Sequence, residues 1–413
     1  MVRFIRLTGV LAAAFMLSAV LTACYDNTEI EDLAYVVAIG IDEADNNSFN
    51  LTFQTAVPQA ITGGGGEGTD ITSFKTDNFL SGLKKTGEYL SRKINLSHTK
   101  IIVVSEGIAK KGVVAFLNGL QHQTDIRQDI NIIVASEGAK NYIESVQPKL
   151  SSNPAKYYEL LFKSYETDFL VPVTQLEDYL YRTKNREAQP VAIYTAIDKT
   201  INESKAPEDG GGSGGGKKSG GGEKKKQGGG DAQQQGGGKE KKNMSIKGLA
   251  VFKADKMAGR LNAGEASIFA LMTGSKNINI DVTDPMDNRF KVLSNIKREK
   301  SSYTRVYFKN GKPVVDINIR LDIDVQSVQS DTDYDLPDNA DRLNTAYRDM
   351  LQDGIENLLK KLTYGYKSDI FGYGELAKRN FLTIEEWEKT DWARLFPTAR
   401  YNLKLQTEII KHG

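Results

Sequence analysis

Residues Asp209 to Lys242 divide this chain into two parts, each of which must find apolar partners without help from the stretch between. Of these 34 positions, 15 are Gly and 8 are Lys, and Ala232 is the sole apolar residue. Such a stretch cannot bury enough surface to offset its ordering entropy. It reads as a disordered, weakly basic linker, with lysines that keep a solvated spacer soluble. A Gly-rich coil of that length has a root-mean-square span of roughly 30 to 35 Å, enough to let its flanks move or to loop out. The rest of the chain has room for two or three domains. With 39% hydrophobic and 26% charged residues, its average resembles ordinary globular proteins, against wholesale disorder or a polytopic membrane protein.

The N-terminus carries the second constraint. Arg3 and Arg6 precede an apolar stretch from Leu7 to Leu21, which ends in Leu21-Thr22-Ala23-Cys24. This is the pattern of a lipoprotein signal peptide over residues 1–23: basic residues hold the start on the cytoplasmic side, and small residues before the cysteine fit the peptidase. Cys24 is then expected to carry a diacylglyceryl group on sulfur, and two acyl chains on one residue suffice for stable anchoring. Cys24 is the only cysteine, so neither an intrachain disulfide nor a thiolate metal cluster can be built. No later apolar run approaches the roughly 20 residues that span a bilayer, so the mature chain is expected outside the membrane, tethered at its first residue. Removing residues 1–23 changes 54 basic against 53 acidic residues to 52 against 53. That balance offers nucleic acid no basic face.

Between the tether and the linker, strand-like and helix-like segments alternate. Tyr35 to Asp42 and Phe49 to Gln54 flank Asn46-Asn47 as a hairpin. Helix-spaced residues from Phe79 to Ser91, the apolar run Ile101 to Val104, a helix over Val113 to Leu120, a strand over Ile130 to Ala135 and a short helix around Tyr142 to Val146 predict an α/β unit. From Pro148 to Ile201 the signal is weaker, with a helix over Thr174 to Arg182 and a strand over Val191 to Ile197. After the linker come a strand over Ser245 to Phe252 and a capped helix start at Asn262-Ala263-Gly264-Glu265. Val315, Ile317, Ile319, Leu321, Ile323 and Val325 alternate with polar residues as a half-wet strand, which Asn310-Gly311 joins to Tyr303 to Phe308 as a hairpin. Apolar residues from Leu343 to Leu362 form a helical stripe within Asp341 to Leu362. The expected fold is α+β: an α/β domain over 24–202, the linker over 203–243, a small middle domain over 244–285, and a C-terminal domain over 286–413 in which a long helix packs on an antiparallel sheet.

Motif matches fail on context. Gly63, Gly65 and Gly68 satisfy a dinucleotide fingerprint without the flanking strand and helix, and Gly211, Ser213 and Gly215 satisfy a nucleophile elbow inside the linker. Gly211, Gly216 and Lys217 approach a phosphate loop but continue into Lys218. Asp331, Asp333 and Asp335 resemble the start of a calcium loop, yet Leu336 and Arg342 stand where Gly and Glu are needed. His98, His122 and His412 show no metal-binding spacing. Ser97 with His98, and Asp322 with Asp324, are the remaining candidates for nucleophilic or paired-carboxylate chemistry, for which a loop histidine and a wet strand face are sufficient explanations. Phe371, Tyr373, Phe381, Trp387, Trp392 and Phe396 suit core packing better than carbohydrate stacking. No catalytic residue, cofactor or metal site is expected.

In order and spacing, the segments resemble the Ger(x)C family, the lipoprotein C subunits of nutrient germinant receptors in spore-forming bacteria. The resemblance runs from Cys24-Tyr25-Asp26 and Glu29-Ile30-Glu31-Asp32-Leu33 through Val36-Val37-Ala38-Ile39-Gly40-Ile41-Asp42, then His98 and Lys100. It resumes at Gly248-Leu249-Ala250-Val251-Phe252 and Gly259-Arg260-Leu261, and closes with Asp369-Ile370-Phe371-Gly372-Tyr373-Gly374, Trp387, Trp392, Phe396 and Ile409-Ile410 to Gly413. Tyr25 stands where the family usually carries Trp, Lys247 where it usually carries an aromatic, and the Gly/Lys tract looks like an insertion. The resemblance implies a three-domain lipoprotein on the outer face of the spore inner membrane, assembled with integral membrane A-type and B-type subunits and needed for assembly and signalling. A solute-binding lipoprotein that serves a transporter is the alternative, and a lipid-anchored hydrolase a third possibility.

Overall fold

The structure, a computed structural model, describes residues 32–45, 48–56, 69–146, 154–167, 174–198, 243–274 and 277–410. Cys24 and its leader, Asn46-Asn47, Gly63, Gly65 and Gly68, the Gly/Lys tract and His412 lie outside the described residues.

The first part of the chain runs β1 (Leu33–Glu43), β2 (Phe49–Ala56), β3 (Thr69–Thr76), α1 (Phe79–Leu90), β4 (Lys93–Asn95), β5 (Ile101–Ser105), α2 (Glu106–Lys111), α3 (Val114–Gln121) and β6 (Asn131–Ala135). It continues with α4 (Ala139–Ser145), α5 (Pro154–Thr167), α6 (Leu176–Lys184), β7 (Val191–Asp198), β8 (Asn243–Lys253) and β9 (Lys256–Asn262). The strands form one sheet in the order β3-β2-β1-β5-β6-β7-β8-β9, with β4 also beside β1. Strands β1, β5, β6 and β7 are parallel, as is short β4 beside β1, and β2, β3, β8 and β9 pair antiparallel. All residues of β5 are buried, as expected of a parallel strand covered on both faces. On one face Ala38, Ile101, Val103 and Ile133 pack with Tyr142, Ile143 and Tyr158. On the other, Ile39, Ile102, Val104 and Ile132 pack with Leu117, Leu120, Tyr179 and Leu180.

The β1 sequence owes two of its residues to α4. A Cβ on Gly40 would stand 2.9 Å from Ile143 Cδ1 and 3.2 Å from Ala139 Cβ, so glycine lets the helix approach the strand. Asp42 then accepts the backbone N–H groups of Ala139 at 2.7 Å and Lys140 at 2.8 Å. A carboxylate from a distant strand thus caps a helix whose own preceding residue is Gly138, at φ 93°, a contribution of about 1 kcal/mol.

The second part comprises α7 (Ala263–Thr273), β10 (Ile278–Thr283), β11 (Lys291–Arg298), β12 (Tyr303–Lys309), β13 (Lys312–Val328), α8 (Pro337–Lys360), a π-helical turn over Lys361–Tyr366, short helices α9 (Tyr373–Lys378), α10 (Ile384–Glu388) and α11 (Trp392–Leu395), and β14 (Arg400–Ile410). β10 to β13 are antiparallel. The β12–β13 turn has Asn310 at φ 52° and Gly311 at φ 71°, the double positive φ of a tight hairpin. On β13, Val315, Ile317, Ile319, Leu321 and Ile323 are buried. Leu343, Tyr347, Leu351, Ile355, Leu358 and Leu359 on α8 face this core, each worth roughly 1.5–3 kcal/mol of burial.

β14 pairs with β13 in parallel, from Val314↔Arg400 to Asp324↔Ile410. The antiparallel sheet expected here therefore gains a parallel edge strand, because a strand that returns after a crossover helix runs the same way as the strand before it. Residues 244–285, expected as a small middle domain, supply β8 and β9 to the first sheet, α7 at its side, and β10 to the second sheet. One apolar cluster runs from Ile133 and Leu249 through Phe269 and Leu271 to Ile319 and Tyr347. Among the described residues no helix is long and apolar enough to cross a membrane.

Candidate functional site

The functional-group contacts concentrate where the second part meets β8, β9 and the loop before β7. Ser368 and Asp369 follow the π-helical turn. Ser368 Oγ donates to the Phe252 carbonyl at 2.5 Å, and the Asp369 carbonyl accepts the Gln189 N–H at 2.8 Å. The Asp369 side chain points into the C-terminal core, where Oδ2 accepts the Gly374 N–H at 2.8 Å and the Trp392 indole N–H at 2.9 Å. Oδ1 is buried and no hydrogen bond of standard geometry reaches it. Burial pushes this carboxyl up to about 6, against the lowering effect of the N–H groups around it. A charge taken out of water without a cation beside it titrates this way.

Gly374 is required by the same packing. A Cβ there would stand 2.4 Å from the Glu187 carbonyl oxygen and 2.7 Å from Trp392 Nε1. Glu187 reaches back across the boundary, accepting the Trp387 indole N–H at 2.7 Å and pairing with Lys378 at 2.8 Å. The aromatic set behaves as core and seam: Phe371 stacks on Tyr373 at 5.2 Å, Phe381 meets Trp387 at 5.3 Å edge to face, and Trp392 lies 6.0 Å from Phe396.

A second contact clamps the edge of β9. Tyr366 OH accepts the Arg260 N–H at 3.2 Å and donates to the Arg260 carbonyl at 2.8 Å, which satisfies backbone groups that an edge strand leaves open. A Cβ on Gly259 would fall 2.3 Å from the Tyr366 ring, so glycine here makes space for the tyrosine. Lys361 bonds both oxygens of Glu265, at 2.9 and 2.8 Å. Burial opposes the Lys361 charge, but the Glu265 contact wins and holds its pKa above the ordinary lysine value. Glu265 also closes the capping box with Asn262 at the start of α7. The Arg260 guanidinium lies over the Tyr194 ring at 5.5 Å, and Tyr194 OH donates to Glu106 at 2.5 Å.

The other candidates are placed apart from this seam. Ser97 Oγ lies 3.1 Å from His98 Nδ1, but it also donates to Asn95 Oδ1 at 2.5 Å. A hydroxyl has one proton, so in this arrangement it accepts from the imidazole, the reverse of what a general base needs. His98 packs its ring edge to face on Tyr35 at 4.7 Å. Asp322 is pushed upward by burial and by Glu299 beside it. The carboxylate that bears on it is thus Glu299, in the connection between β11 and β12, rather than Asp324. Asp333 serves its own loop, with Oδ1 accepting the Asp335 N–H and its carbonyl accepting Asn339 Nδ2. Among the described residues no group of three or more His, Cys, Asp or Glu side chains is placed to hold a metal ion. Periodicity does not reveal Glu187, Lys361 or Tyr366, which sit in a loop and at a helix end, whereas Asp369, Arg260, Glu265, Trp387, Trp392 and the glycines stand inside motifs of the sequence.

Two family models match along the chain. A spore germination protein N-terminal domain matches residues 26–197, and a spore germination B3/GerAC-like C-terminal domain matches residues 247–413. Spore germination protein KC of Bacillus subtilis (strain 168) is 32% identical over 155 residues, covering 35% of this chain and 38% of that protein. Spore germination protein B3 of the same organism is 20% identical over 411 residues, covering 97% of this chain and 96% of that protein. The crystal structure of the GerBC protein superposes with a TM-score of 0.52 at 16% identity, covering 93% of this chain and all of that one. That likeness shows a shared fold.

Proposed function

Since the chain belongs to the Ger(x)C family of spore germination proteins, we propose that it is the lipid-anchored C subunit of a nutrient germinant receptor. The observation that carries this reading is the pair of matches over 26–197 and 247–413, which begins just beyond Cys24 and passes over the Gly/Lys tract. In this reading Cys24 carries the diacylglyceryl anchor and the folded part lies on the outer face of the spore inner membrane. It works without catalysis, as a rigid body that joins integral membrane A-type and B-type subunits and takes part in assembly and signalling.

The seam supports that role. Tyr366 clamped against β9, Asp369 against Gln189, and Glu187 between Trp387 and Lys378 hold the turn and short helices after α8 to the first sheet and its loops at several separated points, as suits a single rigid body. The relatives described above are germination proteins, which favours this reading over a solute-binding lipoprotein. The test is nutrient-triggered dipicolinate release in spores whose other nutrient receptors are deleted. Spores without this chain are expected to lose the response to at least one nutrient, and the intact chain, but not Cys24→Ala, restores it. Full responses together with impaired uptake of a solute would favour the transporter alternative.

A further inference from the structure

Where the tether enters the fold, the surface has a composition of its own. Helix α1 buries Phe79, Gly82 and Thr86 and turns outward Leu80, 57% exposed, and Tyr89, 66% exposed. Lys84, Lys85, Arg92 and Lys93 are exposed with them. From Phe79 to Lys93 these four basic residues stand against one acidic residue, Glu88, which Lys84 approaches at 3.8 Å. The Tyr89 ring is steadied edge to face by Phe74 at 5.7 Å.

Chain path brings this surface to the tether. Strand β4 pairs in parallel with the first residues of β1, with Leu33 opposite Lys93 and Tyr35 opposite Asn95. Lys93 is therefore a neighbour of the residue at which the chain enters the sheet. Eight residues separate Cys24 from Leu33, and fully extended the nine steps between the two span at most about 32 Å. A lipid on Cys24 thus holds the corner formed by the end of α1 and by β4 within that distance of the headgroups.

We propose that the outer face of α1 and the adjoining Arg92-Lys93 turn rest on anionic lipid headgroups of the membrane to which Cys24 tethers the chain. The proposal rests on the lipid-anchor reading above. Lysine and arginine meet the negative surface potential, while Leu80 and Tyr89 suit the boundary between headgroups and acyl chains. A second exposed apolar site, Leu382 at 95% and Ile384 at 65%, is followed by Glu385, Glu386 and Glu388, which an anionic surface repels. It serves as the contrast.

Because Cys24 is the sole cysteine and is consumed by acylation, one introduced cysteine is the only free thiol of the mature chain. Glu88→Cys and, separately, Leu382→Cys carry a fluorophore in the lipid-bearing full-length protein. The vesicles contain about 30% phosphatidylglycerol in phosphatidylethanolamine, with nitroxide-labelled headgroups as quencher. Position 88 is expected to be quenched and position 382 not. Each basic residue at such a surface is worth about fivefold in partitioning, so Arg92→Glu with Lys93→Glu lowers the docked-to-free ratio at least roughly 30-fold. Salt at about 0.5 M weakens the quenching through screening.

Flotation separates the two ideas. A chain that does not float with the vesicles removes the anchor, and the proposal with it. A chain that floats, yet whose position 88 is quenched no more than position 382, or equally in neutral phosphatidylcholine, overturns the proposal and leaves the anchor standing. Shielding of position 88 by co-purified protein in native membranes, without lipid quenching, also overturns it.

Discussion

Replacing Asp369 by Asn removes a buried charge and keeps the side chain's shape. The amide oxygen can take the place of Oδ2 and accept the Gly374 and Trp392 N–H groups, which stand at 2.8 and 2.9 Å in the wild type. Burial lifts the carboxyl from its ordinary 3.8 to about 6, and every tenfold gain in proton affinity corresponds to about 1.4 kcal/mol. Ionised Asp369 therefore costs the folded state about 3 kcal/mol. Between pH 3.8 and 6 the native chain keeps a proton that the unfolded chain has released, so this residue's contribution falls as pH rises and levels off above the folded pKa. Asn does not titrate. The stability of Asp369→Asn relative to wild type should rise by about 2.4 kcal/mol between pH 4 and 7.5, the first few tenths having accrued below pH 4. Any cost of the amide N–H2 in the unpartnered Oδ1 position enters as a constant offset. Urea denaturation of both proteins across that range measures the difference, in which other titrations largely cancel. Parallel profiles would show that the carboxyl is not held up by burial and would refute the reasoning.

Other changes test the seam and the helix cap separately. Gly259→Val should destabilise the protein by about 1–3 kcal/mol through its clash with Tyr366, and combining it with Tyr366→Ala should cost less than the two single changes added, as read from a double-mutant cycle by denaturation. Glu187→Ala leaves the Trp387 indole N–H without its 2.7 Å acceptor and should lower stability by about 1–3 kcal/mol, whereas Glu187→Gln, which keeps an acceptor, should recover most of it. Asp42→Ala removes both cap bonds to α4 and should cost about 0.5–2 kcal/mol, with faster amide exchange at Ala139 and Lys140.

Strong local signals survive into the structure. The alternation of Val315 to Val325 becomes β13, the apolar run Ile101 to Val104 becomes a strand buried on both faces, and Asn262 with Glu265 forms the capping box. Helix α5, from Pro154 to Thr167, was not legible, since its polar and aromatic residues give little stripe and its burial depends on Tyr158 and Phe162 meeting a sheet assembled from distant strands. The alternating Tyr401, Leu403, Leu405, Thr407 and Ile409 of β14 are half-buried. Their period suits a strand, but its parallel pairing depends on the crossover through α8. The motif residues Gly259, Asp369 and Gly374 could be marked in sequence, whereas their reasons could not. Each answers to a side chain or carbonyl over 20 to 180 residues away, at Tyr366, Trp392 and Glu187.

The central claim is that this chain is a receptor subunit at a membrane. The most direct measurement is affinity purification of a tagged copy from detergent-solubilised spore inner membrane, with co-purifying proteins identified by mass spectrometry. The account predicts two polytopic germination subunits, present with the intact chain and lost with Cys24→Ala. Recovery of an ATP-binding transporter in their place, or of no membrane partner, would contradict it.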